Sequence, residues 1–170
     1  MKKMVELTQS QNEAIGILTS TAERLEAAVS SLSGEELDYS PGPVEWTIRQ
    51  IVHHLVDGSI IWAMIFNRAL AMSGEAIHSL GGFPGNEAWA DALDFDKRPI
   101  GTAVALVVSH HRFMAEAASF FPDRWERYVT IPNPDGKEVE ITVGQIIQMI
   151  GEHLAEHVST IDAIKRQHGI

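Results

Sequence analysis

Four segments of the sequence carry apolar residues at alternating steps of three and four, and this spacing constrains the fold more than any other feature. It places the repeated side chains on one face of an α-helix. The four sets are Ile15, Leu18, Ala22, Leu25, Val29 and Leu32; Ile48, Ile51, Leu55, Gly58, Trp62, Ile65 and Ala69; Val104, Val107, His111, Met114, Ala118 and Phe121; and Val143, Ile147, Ile150, Leu154, His157, Ile161 and Ile164. Helices of this kind bury their apolar faces best against one another, so the sequence predicts an all-α four-helix bundle with shallow crossing angles.

The connections between these helices differ in character. Gly34 predicts the stop of the first helix, and Pro122 ends the third. Residues 73–98 form a long connection with a short helical turn predicted around Asn86–Leu93. Its turn-forming residues are Gly74, Gly81, Gly82, Pro84 and Gly85. A crossover of this length argues against simple up-down-up-down order.

A small β-hairpin is predicted before the last helix. Apolar and polar residues alternate on both sides of the sequence PNPDG at 132–136, within residues 126–141. The whole chain, residues 1–170, has the length of one domain with a substantial core.

Two helix starts fit the capping-box pattern, in which a threonine is followed three residues later by glutamine. They are Thr47 with Gln50 and Thr142 with Gln145. These caps predict where the second and fourth helices begin.

Composition narrows the class of protein. The formal charge of −10 disfavours nucleic-acid binding, and no apolar run is long enough to cross a membrane. The absence of cysteine removes disulfides, thiolate metal sites and a thiol nucleophile. The N-terminal stretch lacks the apolar core of a signal peptide, so we expect a cytoplasmic protein.

Two histidines of the fourth helix have a spacing suited to metal binding. His153 and His157 lie about 40° apart around the helix and about 6 Å apart along it, so both can reach one ion. His157 lies on the apolar face, where an imidazole needs polar partners. From this helix alone, two hydrogen-bonded core histidines remain an equal alternative.

The second helix adds a third candidate ligand. Its periodicity directs His54 toward the same core, with Gly58 leaving space one turn later, and directs His53 toward the helix flank or solvent. Three neutral imidazoles match Zn(II), Ni(II) or a similar ion with an open coordination position. Such a metal would acidify a bound water or thiol.

The sequence leaves more than one interpretation for three further residues. His111 is interpreted first as a core histidine, with a fourth ligand or a substrate contact as alternatives. Asp57 would hold a histidine or pair with an arginine or lysine. Glu156 completes an HxxEH pattern with His153 and His157, in which it would act as the general base of a zinc peptidase. The thirteen residues after His157 contain no glutamate for the missing ligand, so Glu156 is predicted at the surface or beside a ligand.

Two motifs resemble the DinB-like superfamily. The stretch EWTIRQIVHHLVD at residues 45–57 resembles the family's second-helix signature, and GEHLAEHVSTI at residues 151–161 resembles its fourth helix. LSGEEL at residues 32–37 is similar to the turn after the family's first helix. The similarity is greatest to the branch of metal-dependent hydrolases and bacillithiol transferases.

The resemblance implies an up-down-down-up bundle, frequent homodimers and a zinc or nickel ion held by three histidines. Carried over by motif, the ligands are His54, His153 and His157. The family includes thiol transferases that use bacillithiol or mycothiol. One departure is that Glu152 and Glu156 occupy a face where the branch often carries more histidines, which weakens the transfer of a particular substrate.

Three functions follow as hypotheses, the first two with a small-molecule substrate. The leading one is a metal-dependent transferase that joins a low-molecular-weight thiol to an electrophile. The second is a hydrolase that cleaves an amide or ester with metal-bound water, although the sequence assigns it no certain general base. The third is a non-enzymatic dimeric module for stress response or binding.

Overall fold

The computed structural model describes residues 6–78, 85–132 and 137–170. The helices within these ranges are α1 (Gln9–Val29), α2 (Ile48–Ala71), α3 (Asn86–Ala92), α4 (Gly101–Phe120) and α5 (Val143–His168). The strands are β1 (Glu75–Ala76), β2 (Tyr128–Pro132) and β3 (Glu138–Thr142). Two sets of predicted turn residues lie outside the described ranges, namely 133–136 and Gly81, Gly82 and Pro84.

The four long helices form the predicted bundle, and the predicted apolar faces point inward. Most of the repeated positions are buried, and the partly buried ones are Ile15, Leu32, Gly58, Trp62, Phe121 and His157. The short helix α3 and the hairpin of β2 and β3 also form where the sequence predicts them. The fold class is therefore confirmed.

Contacts between the helices establish their directions. Helix α1 runs parallel to α5, since Leu18 lies against Gly151 and Arg24 pairs with Asp162. It runs antiparallel to α4, because Gln11 Nε2 donates to the carbonyl of Pro122 and Arg112 of α4 pairs with Glu23.

Helix α2 runs in the opposite direction to α1, because it is parallel to α4 and antiparallel to α5. It lies beside α4 in parallel, with Arg49 bonded to Arg98 and Ser59 to His110. It faces α5 antiparallel, with Gly58 near His153 and the ring of His54 near that of His157. The four long helices thus run up, down, down and up, which is the topology that the family resemblance implied.

The capping boxes position the helix starts. Both predicted boxes form, and a third, Thr8 with Gln11, begins α1. The prediction that α1 extends to Gly34 is wrong, because the helix ends at Val29. Ser33 and Glu36 form reciprocal hydrogen bonds that start a new 3₁₀ turn, so the chain leaves the helix before Gly34.

The small sheet has one strand that the sequence does not predict. Strand β2 pairs with β3 antiparallel and with β1 parallel, where Glu75 lies opposite Val129. A strand of two residues has no periodicity to detect, so its position depends on the hairpin. It ties the end of α2 to the segment before α5.

The buried core divides into two apolar clusters along the bundle axis. On α5, Leu154 belongs to one cluster and Ile150 to the other; on α4, the clusters end at Val108 and begin again at Met114. The level between them contains His153 of α5 and His111 of α4. None of the described helices combines the length and apolar character required to span a bilayer.

Candidate metal centre

Three histidine side chains from two antiparallel helices converge near the level at which the two core clusters meet. His54 comes from α2, and His153 and His157 come from α5. The Nε2 atom of His153 lies 3.3 Å from that of His54 and 3.1 Å from that of His157. Within the described ranges these residues form the one histidine, aspartate and glutamate group whose ligand atoms all lie within 4.8 Å of one another.

The nitrogen separations fit a metal ion. Zinc–nitrogen bonds of about 2.0–2.1 Å at tetrahedral angles separate two ligand nitrogens by about 3.3 Å. Hydrogen bonds alone explain the arrangement less well, since Nε2 of a neutral His153 carries either one hydrogen or one lone pair and has two neighbours to satisfy. The donor set therefore suits a divalent metal such as zinc or nickel.

The cluster favours neutral imidazoles. Burial, and then repulsion from His157 and His153, lowers the pKa of His54 to about 4. Burial and His153 likewise lower the pKa of His157 to about 4, against an opposing effect of Glu156. Burial also lowers the pKa of His153. The three rings are thus neutral at pH 7, which is the form that binds metals.

These pKa shifts predict that the metal-free protein loses stability in mild acid. In the unfolded chain, histidine titrates near pH 6.5. Between about pH 6.5 and 4 the unfolded chain therefore binds more protons than the folded chain at His54 and His157, so the free energy of unfolding falls as pH falls. Urea unfolding of the metal-free protein between pH 7.5 and 4 measures the slope. A His54→Gln, His157→Gln variant should have a shallower slope, and an equal slope would contradict the prediction.

One aromatic side chain packs against a ligand ring. The indole of Trp46 contacts the His54 ring edge-on, with 5.0 Å between ring centroids.

Among the described residues, the three ligand Nδ1 atoms have no hydrogen-bond partner. Glu156, the general base that the HxxEH pattern would assign, is exposed. Glu156 therefore lies at the surface, one of the positions predicted for it, and acts on His153 and His157 through its charge.

Two cavities meet at the histidine cluster and share Gly58, Trp62 and His153 as lining residues. The outer cavity has a volume of about 180 Å³, and the inner one about 110 Å³. Pockets for drug-sized ligands have about 300–1,000 Å³, so these cavities suit a small substrate.

Asp57 lies in the wall of the outer cavity together with His54 and His153. Its Oδ2 accepts a hydrogen bond of 2.6 Å from the indole Nε1 of Trp89 on α3. The carboxylate also acts through its charge on His53 of the same helix, whose pKa it raises against the larger opposing effect of burial. The indole holds this carboxylate beside the cluster, outside the set of converging nitrogens.

His111 lies in the wall of the inner cavity and does not join the nitrogen cluster. The residue is 2 % exposed, and its Nδ1 donates a hydrogen bond of 2.7 Å to the carbonyl of Val107. Burial lowers its pKa, so the ring is neutral with the hydrogen on Nδ1. His111 is a core histidine, as interpreted from the sequence, and it also faces a cavity.

His53 lies on the flank of α2, one of the two positions predicted for it, and the alternative of exposure to solvent is wrong. This residue is 3 % exposed, its Nε2 lies 3.3 Å from the carbonyl of Arg98, and its ring packs against Phe95. The segment before α4 folds over this flank of α2 and covers a position that helical periodicity alone places outside the core.

Sequence analysis also missed the aromatic lining of the outer cavity. Trp89 and Phe95 come from the long connection after α2, and Trp62 from the apolar face of α2. An aromatic cluster in a long connection is the signal that would have indicated them.

Gly58 offers a test of the space beside His153. A Cβ at this position would lie 3.9 Å from Cε1 of His153, which is an ordinary contact. We therefore expect Gly58→Ala to raise the free energy of unfolding by about 0.5–1 kcal/mol through helix propensity, with unchanged metal content. Gly151→Ala is the matched control on α5. Its Cβ would lie 3.3 Å from Ile17 against the backbone of α1, so we expect this crowding to cancel the gain from helix propensity. Urea unfolding checks both, and a destabilised Gly58→Ala would contradict this geometry.

Comparisons with known proteins place the chain in a family. The DinB superfamily model matches residues 17–161. "Putative metal-dependent hydrolase YfiT" of Bacillus subtilis is 25% identical over 162 residues, which covers 95% of this chain and 87% of the relative. A second protein named as a "putative metal-dependent hydrolase", from Oceanobacillus iheyensis, is 25% identical over 154 residues, with coverage of 90% and 84%.

A solved structure supports the fold. YfiT from Bacillus subtilis, described as having "an unusual four-helix bundle topology", matches with a TM-score of 0.78 at 23% identity, covering 99% of this chain and 94% of that one. The resemblance drawn from the motifs is confirmed. Since the family model spans most of the sequence and all three clustered histidines, the chain belongs to the DinB superfamily.

Proposed function

We propose that this protein is a divalent-metal-dependent hydrolase of a small amide or ester. One observation carries the proposal: three neutral Nε2 atoms converge at the edge of a cavity that also contains the carboxylate of Asp57. The names of the two bacterial relatives agree with it. Asp57 supplies the general base that sequence analysis did not assign.

Each residue has a definite part in this proposal. His54, His153 and His157 would hold the metal, which supplies Lewis acidity toward a nucleophile and a carbonyl oxygen when bound. Asp57 accepts a proton from the attacking water at Oδ1, since Oδ2 accepts the hydrogen bond of Trp89. That hydrogen bond orients the carboxylate. The aromatic side chains of Trp62 and Trp89 give the cavity an apolar wall for the substrate.

A thiol transferase is the second candidate. The ligand set is neutral and the sequence has no cysteine, so an external low-molecular-weight thiol would bind as thiolate without competition from the protein. The aromatic lining of the outer cavity suits an apolar electrophile. In this reaction the thiol proton would pass to Asp57, and the sulfur would displace a leaving group or open an epoxide.

Turnover assays on zinc- and nickel-loaded protein test the proposal. We expect hydrolysis of p-nitrophenyl acetate or 4-nitroacetanilide that depends on metal and is lost in His153→Ala. Conjugation of bacillithiol to 1-chloro-2,4-dinitrobenzene, without hydrolysis, would select the transferase. Absence of both activities in metal-loaded protein would contradict both enzymatic proposals and favour a binding module.

A further inference from the structure

We propose that the inner cavity is a substrate subsite for a short, uncharged apolar group that ends in an O–H or N–H donor, which His111 Nε2 accepts. The assignment rests on the proposed function, because it describes the end of the substrate farthest from the reacting atom. It adds a polar contact to a site otherwise defined by the metal-binding histidines and Asp57.

The tautomer of His111 makes Nε2 an acceptor. A backbone carbonyl can only accept a hydrogen bond, so the 2.7 Å contact with Val107 places the ring hydrogen on Nδ1. Nε2 therefore presents a lone pair. It has no hydrogen-bond partner among the described residues, although the residue is almost fully buried.

The lone pair of His111 Nε2 is directed into the inner cavity. In the described part of the chain, every fully enclosed side-chain nitrogen or oxygen has a partner, so the unpartnered Nε2 of His111 must retain access to open space. His111 lines the inner cavity, and its Nδ1 is turned back toward its own helix. The buried acceptor therefore faces the cavity.

Ser59, Trp62 and His153 are the other described residues of the wall with polar side-chain atoms, and the Ser59 hydroxyl is already satisfied. The hydroxyl of Ser59 donates to the carbonyl of Val56 at 2.8 Å and lies 3.0 Å from Nδ1 of His110. The rest of the wall is mostly apolar, with Leu55, Trp62, Met149 and Ile150. A ligand with an apolar body and one donor for His111 Nε2 therefore matches the wall.

Size and charge define the ligand further. An apolar cavity of about 150 Å³ accommodates benzene, so about 110 Å³ suits a group of about five heavy atoms. Among the residues that the structure describes, no arginine or lysine lines either cavity, and a carboxylate end group would have no hydrogen to donate to Nε2. An ammonium group would lose its hydration against a neutral imidazole. The end group is therefore a hydroxyl, amide or similar neutral donor.

A pair of isomers tests this assignment. 1-Butanol and 1-methoxypropane both have five heavy atoms, but only the alcohol has an O–H donor. Two-dimensional NMR titrations of the full chain, metal-free and zinc-loaded, measure both affinities. We expect the alcohol to bind about three- to tenfold more tightly, which is the effect of one neutral hydrogen bond to a buried group. The ¹⁵N shift of His111 Nε2 should respond to the alcohol alone.

Two variants locate the preference. In His111→Leu we expect equal affinities for the two isomers, and in Ser59→Ala the preference for the alcohol should persist. Equal binding by the wild type, no saturable binding of either isomer, or a preference retained in His111→Leu would overturn the assignment. The wild-type measurements test the assignment of the inner cavity even if a variant fails to fold.

The metal-free arm separates this assignment from the proposed function. A protein that shows the preference but has no affinity for zinc supports the subsite and contradicts the metal-dependent function. A protein that binds zinc and lacks the preference contradicts the subsite alone.

Discussion

Substitution of His153 by alanine is expected to lower zinc affinity by at least about a hundredfold. Its Nε2 is the central atom of the cluster, with both other Nε2 atoms within 3.3 Å. Loss of a group that merely supports a ligand costs 10–100-fold in metal affinity, and loss of a ligand removes a direct bond as well. Titration with zinc in competition with a chelator measures the affinity, and elemental analysis of the purified protein measures occupancy.

Two variants make this result interpretable. His78→Ala is the matched control, since that side chain is 80% exposed and lies in the connection after β1, away from the cluster. It should bind zinc as the wild type does. Full zinc occupancy in His153→Ala would show that the ligand assignment is wrong, and a wild type without metal affinity would contradict the metal centre itself. Thermal unfolding of the metal-free variants excludes misfolding as the cause.

Replacement of Asp57 by asparagine should lower kcat for ester or amide hydrolysis by about 10²–10⁴-fold, the range typical of a lost general base. Asparagine keeps a side-chain oxygen to accept the 2.6 Å hydrogen bond of Trp89, so the geometry of the cavity is retained. Zinc affinity should be unchanged, because Asp57 lies outside the nitrogen cluster. Single-turnover kinetics with equilibrium zinc binding separate the two effects.

Trp89→Phe provides the positioning control for Asp57. It removes the indole donor and keeps an aromatic ring in the cavity wall. We expect a smaller loss of kcat than in Asp57→Asn, since the carboxylate remains but is less well oriented. Wild-type kcat in Asp57→Asn would assign the base to another group, and a parallel loss of zinc would make Asp57 part of the metal site.

The long helices were predictable because their signals are local. A three- and four-residue apolar period determines which face of a helix is buried, and this holds for nearly every repeated position. The threonine–glutamine boxes located the starts of α2 and α5 because a capping box involves residues only three apart. Strand β1 has no such signal, and its pairing with β2 depends on residues more than fifty positions away.

The residues of the candidate site likewise divide into those placed by local signals and those placed by contacts with distant segments. Helical spacing places His153 and His157 together, and the core-facing position of His54 follows from its own helix. Burial of His53, in contrast, depends on Arg98 and on the segment before α4. The contact of Asp57 with Trp89 likewise joins α2 to a short helix from a long connection. Local periodicity carries no information on which distant segment covers a helix flank.

By itself, the sequence determined four amphipathic helices, two of their starts and the three histidines that face the core. Only the tertiary structure decided that three Nε2 atoms converge, that Asp57 stands beside them, and that His111 faces a second cavity. The physical reason is range: backbone hydrogen bonding and capping act within a few residues, whereas a metal site requires side chains from antiparallel helices about a hundred residues apart to meet within about 3 Å.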